Sequence, residues 1–241
     1  MTFTNEPFQP VRLYYSIPDS EQVIGKLRKL KCMIEVPPEG CWQWLFHAES
    51  AKVQLAGTYD DVPKEKRPIV LGRIRFPASG SMTLQTNSIQ RAIAGVRFFG
   101  PRLGADVVAL RCRLVNRCFA AEEGTLDELM KQLDRDVTVI DPRAAEAAMK
   151  RDAADLRRYT DPEQMASQFM ARRLASKEDV PLVEDFPLAP EEETPEFTHL
   201  ANMLQLRSMR AIEHWRGNTH LTLASIIMRL VEEDQRTRRG R

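Results

Sequence analysis

Apolar positions fall in short runs over residues 1–122, and their period switches between two and about 3.6. Val11 to Ile17 is apolar and β-prone and predicts a strand. Asp19 with Gln22 three positions later is a capping-box pattern. Val23, Ile24, Leu27 and Leu30 then recur at helical spacing, which predicts a helix over 20–30. Met33 to Val36 predicts a short strand before a Pro37-Pro38-Glu39-Gly40 turn. Cys41 to His47 and Lys52 to Leu55 predict two more strands, with Trp42, Trp44 and Phe46 on one face because strand side chains alternate. Tyr59 to Pro68 is polar, contains two prolines and predicts a loop.

A clearer unit follows. Ile69 to Phe76 and Met82 to Thr86 predict two strands around a turn containing Gly80. Asn87 with Gln90 is placed to cap a helix whose stripe is Ile89, Ala92, Ile93 and Val96. Gly100-Pro101 should stop or kink it. Val107 to Phe119 predicts a long strand. In element order, residues 69–119 resemble half of a TATA-binding-protein-like sheet unit; no residue is carried over from that outline.

After Gly124 the pattern turns helical. Thr125 with Glu128, Asp141-Pro142 and Asp161-Pro162 are helix-start signals. The helix after Asp161 carries Met165, Phe169 and Leu174. Residues 179–196 hold four prolines and no basic residue and predict a linker. Thr194-Pro195 then opens a helix with Phe197, Leu200, Leu204 and Trp215. A last helix from about His220 to Glu233 carries Leu223, Ile226, Ile227 and Leu230. The expected class is α+β: an antiparallel or mixed sheet with covering helices in the N-terminal half, followed by an α-helical C-terminal region. The expected divisions are a sheet domain over 1–122, a helical region over 123–178, the linker over 179–196 and a helix pair with a basic tail over 197–241.

Composition adds little until it is divided. At 43% apolar and 29% charged the 241-residue chain is globular in type, with a formal net charge of +1. Residues 64–118, however, carry 11 basic and 2 acidic side chains, a net of +9, while residues 179–196 carry none and 7, a net of −7. On the strand over 69–76, Arg73 and Arg75 alternate with apolar residues; on the strand over 107–119, Arg111, Arg113 and Arg117 do the same. With a helix over the apolar face, these arginines face outward together with Thr83 and Gln85. Guanidinium groups spaced by a sheet suit a phosphate backbone. The expected nucleic-acid contacts are therefore Arg73, Arg75, Arg111, Arg113 and Arg117, flanked by Lys64, Lys66 and Arg67. The same arginines would also serve as partners for acidic residues of the helical half, or as a solvated face. The acidic strip of Asp179, Glu184, Asp185, Glu191, Glu192, Glu193 and Glu196 reads either as a solvated spacer or as a nucleic-acid mimic folding back over the arginines.

No apolar run reaches the roughly 20 residues that span a bilayer, so no membrane partner is expected. Residues 1–10 lack the basic and apolar regions of a secretory signal, so a cytoplasmic location with reduced thiols is expected. Cys32, Cys41, Cys112 and Cys118 are spaced too widely for a paired zinc site, and Cys112 reads as a buried structural thiol. Nucleotide-binding, metalloprotease and nucleophile-elbow motifs are all missing. His47 reads as structural. A metal site from His199, His214 and His220 would need the chain to fold back after Gly217. Asp60, Asp61, Glu65 and Lys66 have nuclease-like composition but lie in a loop, whereas metal-positioning carboxylates need rigid strands. Trp42 and Trp44 read as core rather than base-stacking residues. No cofactor and no metal are expected.

These patterns favour a non-enzymatic nucleic-acid-binding protein, DNA or RNA, within a larger assembly. The alternative is a protein–protein adaptor or assembly factor whose basic face meets an acidic partner, with the helices over 197–233 as a second docking element. An enzyme on an anionic substrate comes third.

Overall fold

The computed structural model describes residues 1–141, 180–188 and 196–239, with isolated positions between 143 and 168. The chain is α+β. Eight strands form one mixed sheet: β1 (Val11–Ser16), β2 (Met33–Val36), β3 (Cys41–Leu45), β4 (Val70–Arg75), β5 (Ser81–Thr86), β6 (Val108–Val115), β7 (Val137–Val139) and β8 (Val183–Pro187). Their spatial order is β2-β3-β4-β5-β1-β6-β8-β7, antiparallel throughout except for the parallel β7–β8 pair.

Helices α1 (Ser20–Leu27) and α2 (Ile89–Leu103) cover one face, and α4 (Glu196–Trp215) packs along α2. This side holds the main core. Val11, Leu13, Trp42, Trp44, Ile74, Leu84, Cys112 and Leu114 from the strands meet Val23, Leu27, Ile89, Phe98, Phe99, Leu200 and Leu204 from the helices. Gly95 is where α2 approaches the sheet most closely. A Cβ there would lie 2.5 Å from Leu84 Cδ2 and 3.4 Å from Trp44 Cζ3. Trp42 and Trp44 are buried, as their alternation on β3 predicts, and do not form a base-stacking surface.

The opposite face is covered at one end. The short helix α3 (Leu126–Met130) and the 3-10 turn Lys131–Asp134 lie over β6 and β8. There Leu129, Met130 and Leu133 join Val115, Phe119 and Val183 in a second, smaller core. The predicted capping box starts α3: Thr125 N–H donates to Glu128 Oε2 at 2.9 Å, and Glu128 N–H returns to Thr125 Oγ1 at 3.4 Å.

The N-terminal segment is pinned by a buried ion pair. Arg91 on α2 and Glu6 are 2% and 0% exposed, with Arg91 Nε 3.4 Å from Glu6 Oε2. The guanidinium also donates to Val70 O at 3.0 Å, Asn87 Oδ1 at 2.8 Å and Thr4 Oγ1 at 2.9 Å. Burial of this arginine is tolerated because its charge meets Glu6 and its Nη donors find partners, although Nε makes no hydrogen bond.

Several expectations need correction. Lys52 to Leu55 forms no strand. The cap of α2 is Ser88, whose side chain accepts the Arg91 N–H, rather than Asn87. Helix α2 runs through Pro101 to Leu103. Proline so near the helix end removes a single backbone hydrogen bond, and the chain stops at Gly104, with φ at 96°. The strand predicted to reach Phe119 ends at Val115, and Phe119 keeps only an isolated bridge to Phe8. The largest change is in the acidic segment. Residues 183–187, read as linker, are the inserted strand β8, in which Val183 to Phe186 are buried and Glu184 and Asp185 find arginine partners on opposite faces. Asp141 accepts the Arg143 N–H at 2.9 Å. Of the helices predicted after Asp141 and Asp161 only isolated helical positions are described, and Met165, Phe169, Leu174 and linker positions 179 and 189–195 lie outside the described residues.

Candidate functional site

The registers place four of the predicted arginines, Arg73, Arg75, Arg111 and Arg113, on one face, in two rows, while Arg67 and Arg117 lie outside the strands. Across β3, β4, β5, β1, β6, β8 and β7 the first row reads Gln43, Arg73, Gln85, Arg12, Arg113, Asp185 and Val139. The second reads Arg75, Thr83, Tyr14, Arg111 and Pro187. Arg12 was missed in the sequence. It alternates with the apolar Val11, Leu13 and Tyr15 on β1, the same period-two signal that marked the other strands.

The row is internally neutralised. Asp185 Oδ2, on a side chain only 1% exposed, accepts from Arg113 Nε at 2.8 Å and Arg111 Nη1 at 2.9 Å, with Arg113 Nη2 also 2.7 Å away. Asp134, delivered by the turn after α3, takes Arg12 through both carboxylate oxygens, at 2.6 and 3.0 Å, and Arg113 Nη1 at 3.1 Å. Hydrogen bonds from Arg12 and the charges of Arg12 and Arg113 hold the Asp134 carboxyl below its ordinary range. Arg111 also stacks over Tyr14, 3.9 Å from the ring centroid. Arg73 reaches Asp127 at 3.3 Å and Glu39 at 3.7 Å. Arg117 pairs with Glu123 and lies over Phe119. Arg67 folds back onto its own loop, donating to Val62 O and Asp60 O at 2.7 Å each and lying over Tyr59. The remaining predicted cations, Lys64, Lys66 and Arg75, have no carboxylate partner among the described residues. Lys64 and Lys66 stand exposed on a 3-10 turn some distance along the chain from Arg75.

The acidic segment explains much of this. On β8, Asp185 points to the arginine row and Glu184 to the other face. Arg207 of α4 grips Glu184 at 2.6 and 2.7 Å, and Asn116 Nδ2 adds a bond at 3.2 Å. Burial pushes the Glu184 carboxyl up, but the bonds and charge of Arg207 outweigh it and leave the group below its usual range. One short strand thus ties the arginine face to the C-terminal helices.

Those helices carry a surface of a different kind. Helix α5 (Leu223–Arg239) folds back on α4 after the Gly217 turn. Ile226 is buried, but most of α5 beyond it is exposed. A groove of about 370 Å³ runs between the helices. Its walls are Asn202, Gln205, Leu206 and Met209 on α4 and Ile227, Leu230, Val231 and Asp234 on α5. Each set follows the i, i+3, i+4, i+7 spacing of a helix-packing seam. Twelve large apolar residues stand exposed among the described residues. Five of them, Met209, Trp215, Ile227, Leu230 and Val231, belong to this hairpin.

Little suggests catalysis. The four cysteines are free and buried. Burial pushes the Cys32 thiol up to about 12 and the Cys118 thiol to about 11, the reverse of an activated nucleophile. His214 Nε2 lies 2.7 Å from Leu221 O across the hairpin turn, His220 is exposed, and the His199 side chain lies outside the described residues. Asp61 caps its own loop through Thr58. No cluster of metal-ligating side chains occurs among the described residues, and no described helix is long and apolar enough to cross a membrane. Comparison with protein-family models, with curated proteins and with solved structures finds no match, so the outline shared with the TATA-binding-protein sheet gains no support.

Proposed function

We propose that this protein is a non-enzymatic assembly module that docks through its C-terminal helix hairpin, and that the groove between α4 and α5 takes the same hairpin from a second copy. The carrying observation is the pair of matched seams. Leu206 and Met209 on α4 face Leu230 and Ile227 on α5 across an unfilled groove. Two antiparallel helices with such seams are half of a four-helix bundle, and a second identical half completes it. The groove grades from Met209 and Ile227 near the turn to Asn202 and Asp234 at the far end. That polarity gives the pairing one preferred register. The sheet beneath acts as a rigid mount, with Arg12, Arg73, Arg111 and Arg113 engaged by the chain's own carboxylates.

Sedimentation equilibrium at about 10 μM, a level at which specific dimers persist, tests this. Wild type should sediment as a dimer, and Leu230→Glu, at an exposed position, as a folded monomer with unchanged circular dichroism. A monomeric wild type, or a dimer indifferent to Leu230→Glu and Met209→Glu, overturns the reading.

A nucleic-acid reading stands second, supported by Arg75, Lys64 and Lys66, which keep no carboxylate partner among the described residues. Three phosphate contacts give a log–log salt slope of roughly −2 to −3. A salt series of gel shifts with DNA and RNA should show that slope for wild type and a flatter one for Arg75→Ala. No shift at low salt removes this reading and leaves the first intact.

A further inference from the structure

Behind the sheet lies a second recess that neither reading uses. The loop Glu49–Gln54, the outward side of α2 and Gln205 of α4 enclose a volume of about 480 Å³. That lies within the range of small-molecule sites. Among the described residues its lining holds Lys52 and Arg102 as cations for a ligand, and its one acid is Glu49. Glu49 is already committed: its two oxygens accept the N–H groups of Lys31 and Cys32 at 3.1 and 3.0 Å. Among the described lining residues no other carboxylate stands beside Lys52 and Arg102, unlike the arginine row on the other face.

The cation at its end is pre-organised. Arg102 Nη1 donates to Phe98 O at 2.7 Å, and the guanidinium lies flat over the Phe98 ring, 3.9 Å from its centroid. A planar, stacked guanidinium with donors to spare suits phosphate oxygens. The middle of the recess is different. Val53, Ile93 and Ala94 form an apolar stretch of wall. Beside them, Gln90 Oε1 is buried with no hydrogen-bond donor. A buried amide acceptor without a donor carries a cost that a ligand N–H or O–H would relieve. Inorganic phosphate supplies anionic oxygens but neither that donor nor an apolar face. A nucleotide supplies all three: phosphates for Arg102 and Lys52, a flat base for Val53, Ile93 and Ala94, and an amine or hydroxyl for Gln90.

We propose that this recess is a nucleotide-binding site, with Arg102 and Lys52 as phosphate contacts and Gln90 reading a donor on the base or sugar. Isothermal titration calorimetry of the full chain with ATP, AMP, adenosine and pyrophosphate tests it. ATP should bind at least tenfold more tightly than either adenosine or pyrophosphate. Arg102→Ala, at an exposed position, should weaken ATP about tenfold with an unchanged thermal melt. Gln90→Leu should weaken ATP and AMP but not pyrophosphate. No ATP binding at millimolar concentration, pyrophosphate binding as tightly as ATP, or ATP binding insensitive to Arg102→Ala each overturns the proposal. None of these outcomes bears on the oligomeric state.

Discussion

Asp185 Oδ2 sits 2.7 Å from Arg113 Nη2 and 2.9 Å from Arg111 Nη1, so one buried carboxylate serves two guanidinium groups. Removing it leaves the 15%-exposed Arg113 with Asp134 and Leu133 O, and leaves Arg111 against the Tyr14 ring with no carboxylate among the described residues. Asp185→Ala should therefore cost about 2–4 kcal/mol of stability. It should also raise affinity for a polyanion such as heparin at low salt, because two arginines become available. Urea melts and heparin-column elution check the two halves; a variant as stable as wild type would refute the pairing.

The Glu6–Arg91 pair makes an asymmetric prediction. Arg91→Met strands a wholly buried carboxylate and should destabilise by about 3–5 kcal/mol. Glu6→Gln keeps an acceptor for Thr4 and leaves a cation with three other hydrogen bonds, so it should cost less, about 1–3 kcal/mol. Chemical denaturation of both variants reads the order; equal losses would contradict it.

Gly95 is constrained by its neighbours rather than by its backbone. Gly95→Ala gains about 1 kcal/mol of helix propensity. It also puts a methyl 2.5 Å from Leu84 Cδ2, which forces the leucine or the helix to move. Overpacking of this sort costs about 1–3 kcal/mol, so the net effect should be destabilising. A higher melting temperature for Gly95→Ala would show that α2 has room to shift.

Stability should fall at both ends of the pH scale. Asp134, Glu184 and Glu49 have folded pKa values below their ordinary ones. Their contribution is present above the usual carboxylate range and is lost as pH drops through the lowered values. The Cys32 and Cys118 thiols are raised, to about 12 and about 11. Their contribution is complete below the ordinary thiol range, near 9, and is lost as pH climbs towards those values. Thermal melts from pH 3 to 10.5 should show a plateau near neutrality. Thiol labelling at pH 7.5 should be slow in the folded protein and complete in urea; rapid native labelling would put the cysteines in open sites.

Most strands and helices before residue 116 were legible because each carries its own period and its own punctuation: Asp19 opens α1 and Gly80 sits in the turn between β4 and β5, whereas Gly100-Pro101 put the end of α2 too early and Lys52 to Leu55 mimicked a strand. The arginine face was legible too, since alternation alone places Arg73, Arg75, Arg111 and Arg113 on one side. What covers that face was not. Asp127 arrives on a short helix and Asp134 on the 3-10 turn after it; their docking depends on Leu129, Met130 and Leu133, and no local pattern says where those three will pack. Asp185 was hidden for a different reason. A five-residue strand with two acids and a terminal proline has the composition of a spacer, and only the partners Arg113 and Arg207 make it a strand. The groove residues on α4 and α5 were visible as apolar positions, but periodicity cannot tell a seam filled by the same chain from one left open.

The insertion of β8 between β6 and β7 also constrains how the chain is made. A growing polypeptide completes β6 and β7 before the strand that must separate them exists. Some 70 residues separate the end of β6 from Pro187, which takes roughly 4 to 14 seconds at about 5–20 residues per second. Through that interval the β6 edge, with Leu114 and Val115, has no partner on its outer side, and such an edge is a template for pairing with another nascent chain. A chain terminated before residue 183 would keep this edge open permanently. Its fate on the ribosome, soluble or aggregated, is thus set by five residues whose composition looks dispensable.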